Sequence, residues 1–229
     1  LNYFAQGQVL GTDGQRMSKS RGNVVAPDEI VDQWGSDAFR AHLAFMGPWE
    51  NGGPYSEGIV GISRWLNRIW VLANSGYSQK DISVHDEEFL RLVNQTIQRV
   101  TRDLDEKSFN TAIAALMELT NAISASRESG NITHENWAFS IKCLLLLLAP
   151  IAPHISEELW QRTGVKTSIH LESWPTVDES ALIVSEIEIP VQINGKVKSK
   201  IMVPANATQD AVLEIAKAVD QIGKVLSAQ

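Results

Sequence analysis

Near the start of the chain, Arg16-Met17-Ser18-Lys19-Ser20 sets a lysine between two serines, with a second cation three residues before it. Arg21-Gly22-Asn23 follows, and Gly11 and Gly14 precede. Lysine supplies a compact point charge, the hydroxyls supply short donors, and glycine lets the backbone come close to a ligand. That composition suits a loop that grips phosphate. Taken alone it also suits a solvated turn, so the surrounding chain must decide.

Other basic residues are spaced for anions. Arg64 and Arg68 lie one helical turn apart, and Arg91, Arg99 and Arg102 fall within roughly a quarter-circle of a helix at about 100° per residue. Lys196, Lys198 and Lys200 make a stripe on one side of a strand. Each cluster fits either local phosphate contacts or a solvated face. The five histidines, His42, His85, His134, His154 and His170, show no metal-ligand spacing with cysteine or with each other, so no metal is assigned. His154 follows a proline at a helix start and reads as a capping or packing residue. Trp65, Trp70, Trp137 and Trp160 read as core anchors of helices. Neither a Gly-x-Ser-x-Gly elbow nor a dinucleotide glycine fingerprint is present.

These residues need a scaffold. Gln8 to Gly11 reads as a short strand, and Asp13-Gly14 as a tight turn. Pro27-Asp28-Glu29 opens a helix, Gly35 breaks it, and Ser36-Asp37 caps the next, Ala38 to Met46. Glu50 to Pro54 is a linker. Helical spacing then recurs in Ile59, Ile62, Leu66, Ile69 and Ala73, from Phe89 to Leu104, and from Phe109 to Ile123. A fourth helix, about Glu135 to Ala149, is apolar nearly all round from Cys143 on and should be central. A fifth runs from His154 to about Arg162. After Trp174-Pro175 the period changes to two. Ile187, Ile189, Val191 and Ile193 alternate, Asn194-Gly195 makes a hairpin turn, and Val197, Ser199, Ile201 and Val203 form one face of the returning strand with the lysines on the other. Thr208 caps a last helix. The expected fold is mainly α: an antiparallel helix bundle followed by a small α+β domain, with segments 1–53, 54–175 and 184–229.

The 229 residues are 44% apolar with a formal net charge of −7, which argues against a surface that attracts nucleic acid everywhere and leaves room only for local basic patches. The single cysteine, Cys143, allows no internal disulfide and fits a reducing, cytoplasmic setting. The leucine run at 144–148 is too short to span a bilayer. The chain begins without methionine, and the phosphate-loop candidate arrives after about one strand, so a scaffold upstream is expected.

The five-residue loop resembles the Lys-Met-Ser-Lys-Ser signature of class I aminoacyl-tRNA synthetases. Its continuation is more specific. Ser20 to Val25, Pro27-Asp28 and Gly35-Ser36-Asp37-Ala38-Phe39-Arg40 match the pattern that follows this motif in the leucine, isoleucine, valine and methionine enzymes. Ala149-Pro150-Ile151-Ala152-Pro153-His154-Ile155-Ser156-Glu157-Glu158-Leu159-Trp160 resembles the signature of their helical anticodon-binding domain. Gly61, Arg64 to Trp70 and Val191 to Val197 are similar to the leucyl enzymes in particular.

The resemblance implies a class that joins leucine to ATP as leucyl-adenylate and passes it to tRNA(Leu), with Mg2+ accompanying ATP. It places Lys19, supported by Arg16, on the departing pyrophosphate, with Met17, Ser18 and Ser20 completing the ATP loop. It makes Arg64, Arg68, Arg91, Arg99, Arg102, Lys196, Lys198 and Lys200 candidate tRNA contacts. A monomer is expected, with no metal held by this chain and neither DNA nor membrane as partner. Two departures stand out. Arginine replaces the first lysine of the signature, and the partner motif His-x-Gly-His occurs nowhere in the chain. The chain alone is therefore expected not to activate leucine. The alternatives are a stand-alone tRNA-binding module, or the equivalent part of a valyl or isoleucyl enzyme.

Overall fold

A computed structural model describes residues 3–56, 58–80, 85–183, 186–193, 196–205 and 207–219. The chain divides into two units, Leu1–Asp178 and Glu179–Gln229.

The first unit opens on strand β1 (Val9–Leu10), which pairs in parallel with β2 (Gly53–Pro54). The stretch expected as a linker thus ends in a strand that returns to the start of the chain, where Gly53 N donates to Gln8 O at 3.1 Å and Tyr55 N to Leu10 O at 2.9 Å. The two segments approach so closely that a Cβ on Gly7 would lie 2.0 Å from the Gly52 nitrogen, which no side chain permits. Between the strands lie α1 (Pro27–Trp34) and α2 (Ser36–Phe45). Proline fixes the first turn of α1, Asp28 and Glu29 complement its positive end, and Gly35, at φ 83°, makes the corner into α2.

Five longer helices follow: α3 (Ile59–Asn74), α4 (His85–Asp105), α5 (Phe109–Ser129), α6 (His134–Leu148) and α7 (Pro153–Arg162). Helix α6 is central as its composition requires, with every residue from Cys143 to Ala149 buried. Burying each such leucine contributes about 1.5–3 kcal/mol. Helix α6 packs on α4, α5 and α7, while α2 and α3 pack on α5 and on α7. Ala38 and Ala41 of α2 belong to the same core as Leu144 and Ile169, so the core crosses residues 53 and 54 without a break. The Cys143 thiol sits inside this core, and burial pushes it up to about 12, leaving a packing residue with no thiolate near neutrality.

Local signals set the ends of the helices. Gly130 adopts the left-handed conformation and closes α5, and Thr133 caps α6 by accepting from Asn136 N at 3.2 Å. Trp65 and Trp160 are buried anchors, and the Trp65 indole N–H donates to Thr120 Oγ1 at 3.1 Å. Trp70 departs from the expectation, being only partly buried, with the Arg162 guanidinium 4.5 Å from its ring centre. After α7 the irregular stretch to Asp178 is tied back along α4: Trp174 Nε1 donates to Thr101 Oγ1 and Asp178 N to Asn94 Oδ1, both at 2.8 Å.

The second unit is an antiparallel pair, β3 (Glu186–Ile193) and β4 (Lys196–Pro204), covered by α8 (Gln209–Lys217), with Ile201, Val203 and Ala216 at its centre. Thr208 caps α8 through Ala211 N. The Asn194-Gly195 turn lies outside the described residues. The inner face of β4 differs from strict alternation. Val191 pairs with Ser199 but Gln192 pairs with Val197, so Lys198 is an extra residue in a bulge. Val197, expected on one face with Ile201 and Val203, is 55% exposed. One inserted residue shifts the phase of the strand beyond it, and alternation read from sequence has no means of showing where that happens.

Candidate functional site

The Arg16–Ser20 loop is built around Asn23. Its Oδ1 accepts from Ser18 N at 2.8 Å, and its Nδ2 donates to both Asp13 oxygens at 3.1 and 3.2 Å and to Arg16 O at 3.3 Å. Gln15 N also donates to Asp13 Oδ1, and these two hydrogen bonds, that from Gln15 first, hold the Asp13 carboxyl below its ordinary value. The clasp closes tightly over Gly11, where a Cβ would meet Asn23 O at 2.9 Å. Lys19–Arg21 form a single 3-10 turn ended by left-handed Gly22, and the Ser18 and Ser20 hydroxyls lie 2.8 Å apart. Arg16 and Lys19 are exposed, and among the described residues neither side chain has a hydrogen-bond or ion-pair partner. Sequence reading takes Asp13 only as a turn residue; its role in holding the loop depends on a partner ten residues away.

A second arrangement joins the helix after this loop to the bundle. Sequence predicts that Ser36 and Asp37 cap their own helix. Instead α2 begins at Ser36 with no side-chain cap, and Asp37 caps α7. Its Oδ2 accepts from Ile155 N at 2.7 Å, and its Oδ1 accepts from His154 N at 3.3 Å and pairs with His154 Nδ1 at 2.8 Å. One turn later, Arg40 donates to Pro150 O at 3.0 Å and Ile151 O at 3.1 Å, in the turn between α6 and α7. An acid therefore meets the positive end of α7 and a base the carbonyls of the turn that leads into it, with both residues on one side of α2. The two sequence patterns that looked separate, Gly35–Arg40 and Ala149–Trp160, are the two halves of this joint. His154 is the helix-start residue expected.

The basic clusters fare differently. Arg64 and Arg68 flank a 680 Å³ cleft lined also by His42, Trp65, Met117 and Asn121. Arg64 Nε reaches only its own helix, at Val60 O, and Arg68 donates to Asn121 Oδ1 at 2.7 Å. Neither has an acidic partner among the described residues. Arg99 pairs with Glu118 at 3.0 Å and Asp103 at 3.8 Å, and Arg102 pairs with Asp103 at 2.8 Å. Their charge is already answered, by an Asp103 side chain only 4% exposed. The hydrogen bond to Asp103 holds the Arg102 guanidinium above its ordinary value. Arg91 is partly buried, and among the described residues its Nε has no hydrogen-bond partner. Lys196 and Lys198 are exposed, while Lys200 pairs with Glu188 at 2.7 Å. Among the described residues no group of three His, Cys, Asp or Glu could hold a metal ion, and no helix is long and apolar enough to cross a membrane.

His42 was not singled out by any sequence signal. It is buried, its Nε2 donates to Ser56 O at 2.9 Å, and its ring meets Tyr55 edge-on at 5.3 Å. Burial pushes its pKa below the ordinary value, against the smaller opposing effect of the Ser56 hydrogen bond. Unfolded His42 takes up a proton near pH 6.5, whereas folded His42 does so only at lower pH. The unfolded state thus binds more protons in that interval. The resulting stability is fully present above about pH 6.5 and is shed as pH falls toward the folded-state pKa, by at most about 1.4 kcal/mol per pH unit. In urea unfolding between pH 5 and 7.5, His42→Gln should lose stability less steeply on acidification than the parent. Equal slopes would show that His42 does not titrate as its burial demands.

Comparison with known proteins adds to this geometry. The family described as the anticodon-binding domain of tRNA ligase matches residues 86–214, and that described as tRNA synthetases class I (I, L, M and V) matches residues 2–51. The leucine–tRNA ligase of Herpetosiphon aurantiacus is 44% identical over 225 residues, 98% of this chain and 28% of the relative. That of Dehalococcoides mccartyi strain BAV1 is 43% identical over 215 residues, 93% of this chain and 26% of the relative. The agnB2 LeuRS of Agrobacterium radiobacter K84, crystallised as a ternary complex with tRNA and LeuAMS, superposes with a TM-score of 0.78 at 32% identity, over 98% of this chain and 30% of that one. The chain thus spans between about a quarter and a third of the length of each of these relatives.

Proposed function

Because the chain belongs to the family of tRNA-ligase anticodon-binding domains, we propose that it is the part of a leucine–tRNA ligase that carries the ATP-closing loop and docks tRNA(Leu). The observation behind this reading is the joint at Asp37 and Arg40, which makes the loop-bearing segment and the helical bundle one packed body. Such a body can hold a tRNA on its helices while presenting a phosphate-gripping loop to an active site, a geometry that a free-standing RNA-binding module does not need. Identities of 43–44% to leucine ligases favour leucine over valine or isoleucine.

Arg16 and Lys19 fit ATP because they are exposed cations with no acidic partner among the described residues, on a loop whose hydroxyls face each other. ATP supplies the adenylyl group and a pyrophosphate leaving group, and Lys19 would meet the charge that gathers there. Arg16, a flat fork instead of a point charge, would support it from the side. Mg2+ would come with the ATP phosphates. Arg64 and Arg68 are the stronger tRNA candidates, since Arg99 and Arg102 are committed to Asp103 and Glu118. Lys196 and Lys198 would add contacts from the second unit. The lone buried thiol fits a cytoplasmic enzyme.

Binding of tRNA(Leu) by this chain, followed against salt concentration, tests the reading. Changing Arg64 and Arg68 to alanine should weaken binding about tenfold and lower the slope of log K against log salt by about one for each phosphate no longer neutralised. Changing Lys196, Lys198 and Lys200 together should do the same to a smaller degree, and changing Arg99 and Arg102 should do little. Leucine-dependent ATP–pyrophosphate exchange should be absent with this chain by itself. An absence of salt-dependent tRNA binding, or appreciable exchange, would overturn the assignment.

A further inference from the structure

Helix α3 has two working faces. Arg64 and Arg68 border the cleft already described. Ser63 and Asn67, each one residue earlier and so about 100° round the helix, border another, of 440 Å³, formed with the α1–α2 corner and the start of α7. Its lining includes two tryptophans, Trp34 and Trp70, both partly exposed, and the Arg162 guanidinium lies 4.5 Å from the centre of the Trp70 ring. Two of its polar side chains are unspent. Among the described residues the Ser63 hydroxyl and the Asn67 amide make no hydrogen bond. His154 Nδ1 is tied to Asp37, which leaves Nε2 as the nitrogen able to meet a ligand, and the imidazole is 73% exposed. Asp37 itself already accepts three hydrogen bonds, so it offers no free acid to attract a cation.

A flat aromatic wall, an amide with both a donor and an acceptor, a hydroxyl and a fixed imidazole suit a planar, largely neutral ligand with a hydrogen-bonding edge. The volume lies in the range of small-ligand sites, about 300–1,000 Å³. The arginine row is on the adjacent face of the same helix, whose full diameter is about 10–12 Å, so one nucleotide can place its phosphate on the arginines and its base in the cleft. We propose that this Trp34–Asn67–Trp70–His154 cleft binds one unstacked nucleobase of an RNA whose backbone lies on Arg64 and Arg68. The backbone half rests on the tRNA-docking reading; the base half rests on the cleft.

A uridine pentamer with 2-aminopurine at its centre tests the base half directly on this chain. On titration its fluorescence should fall several-fold as the base stacks on Trp34. Asn67→Ala and Trp34→Leu should each weaken binding about tenfold, and Trp34→Leu should also abolish most of the quenching. Arg64→Ala should weaken binding while leaving the quenching at saturation intact. Asn67 and Ser63 are not in the core, so Asn67→Ala and Ser63→Ala decide the matter if Trp34→Leu does not fold. Absent quenching, or unchanged affinity in both Asn67→Ala and Ser63→Ala, would overturn the proposal. If tRNA still binds in a salt-dependent way in that event, the docking reading stands without it. Quenching without tRNA binding would remove the docking reading and keep the cleft.

Discussion

Replacing Lys19 by alanine in the full-length ligase that contains this segment is expected to slow leucyl-adenylate formation by about a hundredfold or more. The Lys19 ammonium is exposed, on a single 3-10 turn, with no partner among the described residues. Its charge therefore holds nothing of the fold together and is free for a ligand. Adenylate formation moves negative charge onto the departing pyrophosphate, so a cation held there stabilises the transition state more than the ground state. The loss should appear in kcat of ATP–pyrophosphate exchange. Lys19→Arg should recover only part of the rate, since a planar fork does not replace a point charge. A rate near that of the parent would remove Lys19 from this role. Thermal stability of the variant should be unaltered, which separates the effect from unfolding.

Asp37→Ala should have the largest effect on stability, a loss of about 2–3 kcal/mol in urea unfolding. The residue is worth more than an ordinary cap because its carboxylate accepts from two backbone N–H groups and one imidazole at the positive end of α7. Arg40→Ala should cost about 1–2 kcal/mol by leaving the Pro150 and Ile151 carbonyls without their donor. Both residues hold the same turn, so the double variant should lose less than the sum, with a coupling of at least about 0.5 kcal/mol. Full additivity, or a loss under about 0.5 kcal/mol for Asp37→Ala, would show that the α6–α7 turn is held by its own chain. Because Asp37 and Arg40 follow the Lys19 loop in sequence and grip the bundle in space, their removal should also loosen the loop's placement against a bound tRNA.

Helix periods in the first unit are legible from sequence because a buried stripe repeats every three or four residues whatever surrounds it. Ile59, Ile62, Leu66 and Ile69 are all buried, as their spacing implies. The all-apolar stretch after Cys143 likewise identifies the central helix without any knowledge of its neighbours. The β4 face is less legible: the bulge at Lys198 changes which side chains face inward, and nothing in the order of residues marks it. For the basic clusters, spacing finds every arginine but does not tell the free from the committed. Asp103 and Glu118 answer Arg99 and Arg102, and Glu118 stands on a different helix.

The sequence by itself determined the loop of Arg16 to Ser20, the helical order behind it and the patterns shared with tRNA ligases, because these are local in the chain and local chemistry specifies them. Tertiary structure alone decided what joins them. Asp37 looks like a cap for its own helix and serves another that begins more than a hundred residues later. Ser63, Asn67, Trp34 and His154 come from three separate segments to form one cleft. A hydrogen bond or a cavity wall depends on distance in space, and residue order constrains that distance only through the fold it produces.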